Sequence, residues 1–160
     1  MDFRIELAGP GDAGAIFDLV KKLADYEHLS QEVTAKEEDF DRALFGESRR
    51  ARALLAFSGE RPVGFALFFG TFSTFLGKAG VYLEDIFVEP EFRGRGIGRA
   101  LLARVAKIAH EEGCGRVEWA VLTWNQPSID FYHRLGAVTL EDWRTFRLTG
   151  DALEALASRA

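Results

Sequence analysis

At 160 residues the chain fits one domain with a substantial core, and a hydrophobic share of 48% excludes wholesale disorder. A formal charge of −5 argues against a scaffold held on nucleic-acid phosphates and favours neutral or cationic small partners. Cys114, the single cysteine, rules out an internal disulfide; with no secretory signal and no apolar run of membrane-spanning length, a cytoplasmic setting is expected.

Phe3, Ile5 and Leu7 alternate with charged residues, the pattern of a half-buried strand. Gly9-Pro10-Gly11 turns the chain, and Asp12 is placed to cap a helix whose apolar face is Ile16, Leu19, Val20 and Leu23, running out near Tyr26. Thr34-Ala35-Lys36-Glu37 is a capping box and predicts a second helix that stops at Gly46. Residues 51–57 read as a strand, and Ser58-Gly59-Glu60-Arg61 as a hairpin turn into a strand over 63–74. After a turn at 76–80 comes Val81-Tyr82-Leu83-Glu84-Asp85-Ile86-Phe87-Val88, an apolar strand interrupted by two adjacent carboxylates. Ile97, Leu101, Leu102, Val105, Ile108 and Ala109 then recur at helical spacing, and Gly113 suits the end of that helix. Residues 116–122 read as a strand parallel to 81–88. Trp124-Asn125-Gln126-Pro127 leads into a short helix with Pro127 at its first position, ended by Gly136. Residues 137–140 and 143–148 read as a final pair of strands, followed by a helix from Asp151. The order β-α-α-β-β-β-α-β-α-β-β predicts a single α/β domain over 1–160, a mixed sheet with helices on both faces.

Between the strand at 81–88 and its helix runs Glu89-Pro90-Glu91-Phe92-Arg93-Gly94-Arg95-Gly96-Ile97-Gly98. Backbone N–H groups in such a turn, with the first helical turn, form an anion cradle that the helix dipole reinforces. Gly94, Gly96 and Gly98 let the main chain approach an anion closely, and Arg93, Arg95 and Arg99 add positive charge. A phosphate site is predicted, foremost for a pyrophosphate. The dinucleotide fingerprint fails because these glycines are spaced by two, and the Walker pattern fails for want of Gly-Lys-Ser/Thr.

Arg93-Gly94-Arg95-Gly96-Ile97-Gly98 resembles the acyl-CoA-binding motif of the GNAT family of N-acetyltransferases, Arg/Gln-x-x-Gly-x-Gly/Ala, and the element order is similar to that fold. Tyr82-Leu83-Glu84-Asp85-Ile86-Phe87-Val88, Trp124-Asn125-Gln126-Pro127-Ser128-Ile129-Asp130-Phe131-Tyr132, Arg134-Leu135-Gly136-Ala137 and Leu23-Ala24-Asp25-Tyr26-Glu27 resemble the spermidine/spermine (diamine) branch, which includes thialysine acetylases. The likeness is strong from about residue 81 to 148 and thinner before 62. It implies a mixed sheet with splayed strands 4 and 5 and acetyl-CoA held by residues 93–99. Ile86, Phe87 and Val88 would meet the pantetheine arm through main-chain groups, a backbone N–H near Phe87 polarising the thioester carbonyl. Asn125 and Ser128 match positions that touch the cofactor, and a homodimer joined through the C-terminal strands is implied.

On its residues alone Tyr132 is more readily an amphipathic core residue with a solvated hydroxyl; the resemblance makes it the general acid. A phenol with a pKa of about 10 suits a thiolate leaving group, and Ser128 and Tyr132 stand four apart on one helix face. Of Glu84 and Asp85 only one should face a cleft unless a bulge intervenes; the other reads as a strand-edge or solvated charge. The resemblance turns Glu84 toward the substrate, holding an ammonium and relaying its proton through water, with Asp85 beside it. Tyr26, Glu27, Glu118 and Trp119 match positions lining the amine channel, and Glu141 and Asp142 fall near another. Each acid alone reads as a surface charge, whereas several converging would select an elongated cationic amine. His28, His110 and His133 show no ligand spacing, so no metal is expected.

The expected function is acetyl-CoA-dependent N-acetyl transfer to a polyamine, a diamine or a lysine analogue such as thialysine, by direct attack in a ternary complex. Acetylation of protein N-termini or amino-antibiotics, and non-catalytic sensing of acyl-CoA, are the alternatives.

Overall fold

The longest strand, β3 (Arg61–Ser73), sits between β2 (Arg52–Ser58) and β4 (Lys78–Val88) in the computed structural model, which describes residues 2–160. With β1 (Arg4–Leu7) and β5 (Val117–Glu118) they form a five-stranded sheet in the order β1-β2-β3-β4-β5. The β4–β5 contact is parallel and the other ladders are antiparallel, so the sheet is mixed, as predicted. The helices are α1 (Ala13–Tyr26), α2 (Glu37–Phe45), α3 (Ile97–Glu111), α4 (Gln126–Arg134) and α5 (Gly150–Ala157). The chain divides into two compact units, one ending at Ala120 and the other Val121–Ala160.

In the first unit, strand alternation separates two apolar layers. Ala53, Leu55, Phe65 and Phe87 pack with Ile16 and Leu19 of α1 and Leu44 of α2. Leu54, Ala66, Phe68 and Leu83 are buried on the other face, where α3 lies against β3 and β4 through its own buried stripe, which includes Leu101 and Val105. Each large side chain so buried contributes about 1.5–3 kcal/mol. Asp12 precedes α1 but accepts the Gly9 N–H through Oδ2 at 2.8 Å and gives α1 no side-chain cap. Helix α2 begins at Glu37, later than the Thr34 box predicts: Asp39 Oδ2 takes the Lys36 N–H at 2.8 Å, and Glu37, Glu38 and Asp39 favour a helix start by their charge. At the end of α3, Gly113 adopts φ 73°, and Cys114 N–H and Gly113 N–H donate to Ala109 and His110 carbonyls at 2.9 and 3.1 Å. That pair of bonds closes the helix in a Schellman motif.

The register of β4 against β3 jumps: Leu67 pairs with Asp85 and Phe68 with Leu83, leaving Glu84 as the extra residue of a bulge. A bulge bends its strand, and the ladder to β5 ends directly before it, at Val81–Val117 and Tyr82–Glu118. This bend is why the predicted strand over 116–122 shortens to Val117–Glu118. Among the described residues β4 is therefore paired on one side only from Leu83 to Val88, the splay expected of strands 4 and 5.

In the second unit Asn125 Oδ1 accepts the Ser128 N–H at 3.4 Å and caps α4, in which Pro127 is the second residue rather than the first. Gly136, at φ 91°, ends the helix, with Ala137 N–H on the Tyr132 carbonyl at 3.1 Å. The final strand pair is absent: residues 137–148 have no ladder partner among the described residues. Their apolar side chains lie open, Val138 80% and Phe146 93% exposed. Alternation makes a segment fit for a sheet, but a strand forms only where a second edge is offered.

Candidate functional site

Two features of the first unit meet at the C-terminal half of β4. One is the turn between β4 and α3. After a 3-10 turn at Pro90–Phe92, Gly94 and Gly96 take φ 75° and 85°, and Gly96 stands as the N-cap of α3. A Cβ built on either glycine would meet no heavy atom within 4 Å. Glycine is thus required there by backbone conformation, and the space outside the turn is open to an incoming group. No side chain caps α3, and its first turn holds no acid, so its leading N–H groups face an undiminished dipole. Arg95 and Arg99 are exposed beside it, Arg95 lying over the Phe92 ring. A diphosphate fits this cradle.

Arg93, expected at the cofactor, is exposed and also makes contacts within the chain. Its Nε donates to the Val88 carbonyl at 2.8 Å, and its guanidinium lies 4.4 Å from the Tyr26 ring centre and 5.5 Å from that of Phe87. It fastens the turn to β4 and to the end of α1. Ile86 is half-buried, and Phe87 and Val88 are buried on the strand whose outer edge is unpaired.

The second feature is acidic. Asp85 is part-buried, and its carboxyl is pushed up to about 7 by burial first, then by the charges of Glu84 and Glu27. Burial also raises the Glu27 pKa, and burial followed by Glu84 and Glu118 raises that of Tyr82. Tyr26 brings Glu27 here by setting its ring 6.4 Å from Phe87. Glu118 pairs with Arg116 at 2.8 Å, and Trp119 is half-buried next to it in the chain. So Tyr26, Glu27, Glu84, Asp85 and Glu118, expected around one amine, are gathered by α1, β4 and β5. Carboxylates whose pKa is raised by burial, as at Asp85 and Glu27, mark a candidate functional site.

The second unit carries Asn125, Ser128 and Tyr132 on and before α4. Asn125 is buried as the cap, Ser128 is half-buried, and Tyr132 is half-buried with its ring 5.5 Å from Phe131. Glu141 and Asp142 are exposed beyond it. Among the described residues no group of His, Cys, Asp and Glu is arranged to hold a metal ion, and no helix is long and apolar enough to cross a membrane.

One residue here has no forewarning in the sequence. Glu89, 2% exposed, ion-pairs with Lys22 of α1 and with Arg61 of β3, and Arg61 also reaches Glu91 at 3.0 Å. A carboxylate between Val88 and Pro90 reads as a solvated turn charge, yet it locks the base of the glycine turn to two elements.

A family model described as the Acetyltransferase (GNAT) family matches residues 16–137. The chain belongs to the GNAT acetyltransferases. The thialysine N-epsilon-acetyltransferase of Bos taurus is 39% identical, with 97% of each chain covered. That of Caenorhabditis elegans is 33% identical, with 98% of each covered. Among solved structures, an integron cassette protein from the mobile metagenome of V. cholerae is similar with a TM-score of 0.82 and 25% identity, covering 98% of both chains.

Proposed function

We propose that this enzyme transfers the acetyl group of acetyl-CoA to a primary amine of a small cationic substrate, a polyamine, a diamine or a lysine analogue such as thialysine. The observation that carries the reading is the gathering of Glu27, Glu84, Asp85 and Glu118 beside the anion cradle: one end suits a diphosphate, the other an ammonium. Near full-length likeness to proteins named as thialysine acetyltransferases supports it. The family match, residues 16–137, extends from the first unit into the second, which supports reading residues 1–160 as one domain.

Acetyl-CoA supplies a thioester that is attacked directly, with no covalent enzyme intermediate. Main-chain N–H groups from Gly94 to Arg99, with Arg95 and Arg99, would hold its diphosphate. The open edge of β4 at Ile86–Val88 offers main-chain groups to an extended arm as a sheet offers them to an added strand. Glu84 holds the ammonium, with Tyr26, Glu27, Glu118 and Trp119 along the amine. Tyr132 gives the proton that the departing sulfur needs, and Asn125 and Ser128 flank the cofactor; these roles come from the resemblance of residues 124–132.

The unpartnered apolar run at 137–148 supports a homodimer in which a second copy supplies the missing sheet edge. Sedimentation at micromolar concentration is expected to give twice the chain mass; a monomer there sinks the dimer.

Release of free thiol, followed over a panel of amines, tests the activity. Diamines, polyamines and lysine analogues are expected to be the best acceptors. Faster turnover of peptide N-termini or aminoglycosides would move the enzyme to another branch, and no amine-dependent thiol release at all would make it a sensor.

A further inference from the structure

Glu89 is the one charged residue buried among the described residues, and it stands directly after β4, where the glycine turn departs. Its main chain belongs to both sides of that junction. The Glu89 N–H donates to the Val63 carbonyl at 2.9 Å, one residue beyond the final β3–β4 pair, Gly64 with Val88. The Glu89 carbonyl accepts the Phe92 N–H at 2.9 Å and so begins the 3-10 turn. The direction in which the turn leaves the sheet is set at this residue.

The side chain holds that direction from two sides. One carboxylate oxygen takes Lys22 of α1 and the other takes Arg61 of β3. A buried ion pair adds little net stability, because the loss of water offsets the attraction; here its bonds fix where the turn lies. The contacts continue into the turn. Arg61 also reaches Glu91 at 3.0 Å, and its guanidinium lies 5.1 Å from the centre of the Phe92 ring. Arg95 lies 5.2 Å from the centre of the same ring. Glu89, Arg61, Phe92 and Arg95 thus form one chain of contacts from the buried carboxylate to a cation of the anion cradle. Gly94 and Gly96 have no side chains with which to brace the turn, and backbone freedom left there is lost when an anion binds.

Resting on the acetyl-CoA reading, we propose that Glu89 is a positioning residue for the cofactor: through Lys22 and Arg61 it holds the glycine turn and Arg95 in the arrangement that receives the diphosphate. The ordering that acetyl-CoA would otherwise impose is present before it arrives. Glu89 therefore acts on affinity for the diphosphate end and leaves the transfer step alone.

Three variants test this. Glu89→Gln keeps the side-chain shape and removes the charge, while Arg61→Met and Lys22→Met each take away one half-exposed partner. Glu89→Gln is expected to raise the calorimetric Kd for acetyl-CoA by about 5–30-fold, the worth of re-ordering one or two loosened side chains. At saturating acetyl-CoA its kcat should match wild type, and so should kcat/KM with acetylpantetheine, a donor without the diphosphate. Arg61→Met should show more of the affinity loss than Lys22→Met, because Arg61 alone continues to Glu91 and Phe92. Leu44→Ala, a cavity in the layer of α1 and α2, should lower the melting temperature without affecting either donor. Unchanged acetyl-CoA affinity in Glu89→Gln or, should that variant fail to fold, in Arg61→Met overturns the assignment. An equal loss for acetyl-CoA and acetylpantetheine overturns it too, leaving the ion cluster a purely stabilising one. A wild-type chain that takes up no acetyl-CoA overturns the acetyl-CoA reading and the assignment together.

Discussion

Tyr132→Phe should reduce kcat by about 10²–10³-fold, the usual worth of a positioned acid, while acetyl-CoA affinity stays within about twofold of wild type. The substitution removes one hydroxyl and keeps the ring that lies against Phe131 on α4. It therefore deletes a proton donor without opening a cavity. Loss confined to kcat identifies a group that acts in the transition state, whereas a rise in KM alone would identify a binding contact. An acyl donor whose leaving thiol has a low pKa should restore much of the loss, because a better leaving group needs less protonation. Full activity in Tyr132→Phe with every amine would return Tyr132 to the plain role of an amphipathic helix residue.

Gly96→Ala should weaken acetyl-CoA binding by about 10–100-fold. At φ 85° the new side chain carries a left-handed backbone, costing about 1–2 kcal/mol, and its Cβ enters space that the chain itself leaves open. Strain alone predicts a loss of stability; the claim about the cradle predicts a loss of affinity besides. Gly59→Ala separates the two, since Gly59 has φ 61° in the β2–β3 hairpin and is likewise open around its Cβ position. Both variants are expected to melt earlier by similar amounts, with only Gly96→Ala losing acetyl-CoA. Equal affinities in the two variants would remove Gly96 from the binding site.

The parts of the fold set by near neighbours were open to reading in the sequence. Ile97, Leu101 and Val105 gave α3 its buried stripe, Gly113 and Gly136 marked helix ends that take left-handed φ, and Arg93–Gly98 marked the turn. The parts set by two segments at once were not. Adjacent Glu84 and Asp85 hinted at broken alternation, but that Asp85 stands opposite Leu67 depended on the register of β4 against β3. Arg93 carried the right charge for a phosphate, yet nothing in the chain order announced that the Tyr26 and Phe87 rings and the Val88 carbonyl would engage it. Glu89 was hidden for the same reason, its partners lying far off in sequence on α1 and β3. Residues 137–140 and 143–148 have the composition of strands but no ladder partner among the described residues, because a strand is completed by a second segment and not by its own pattern.

Calorimetric titration of the wild-type chain with acetyl-CoA, and with acetylpantetheine that lacks the diphosphate and nucleotide, tests the cradle most directly. The main-chain amides between β4 and α3 predict saturable binding of acetyl-CoA and at least about tenfold weaker binding of acetylpantetheine, a gap of about 1.4 kcal/mol or more. Equal affinity for the two compounds, or no uptake of acetyl-CoA, would contradict it.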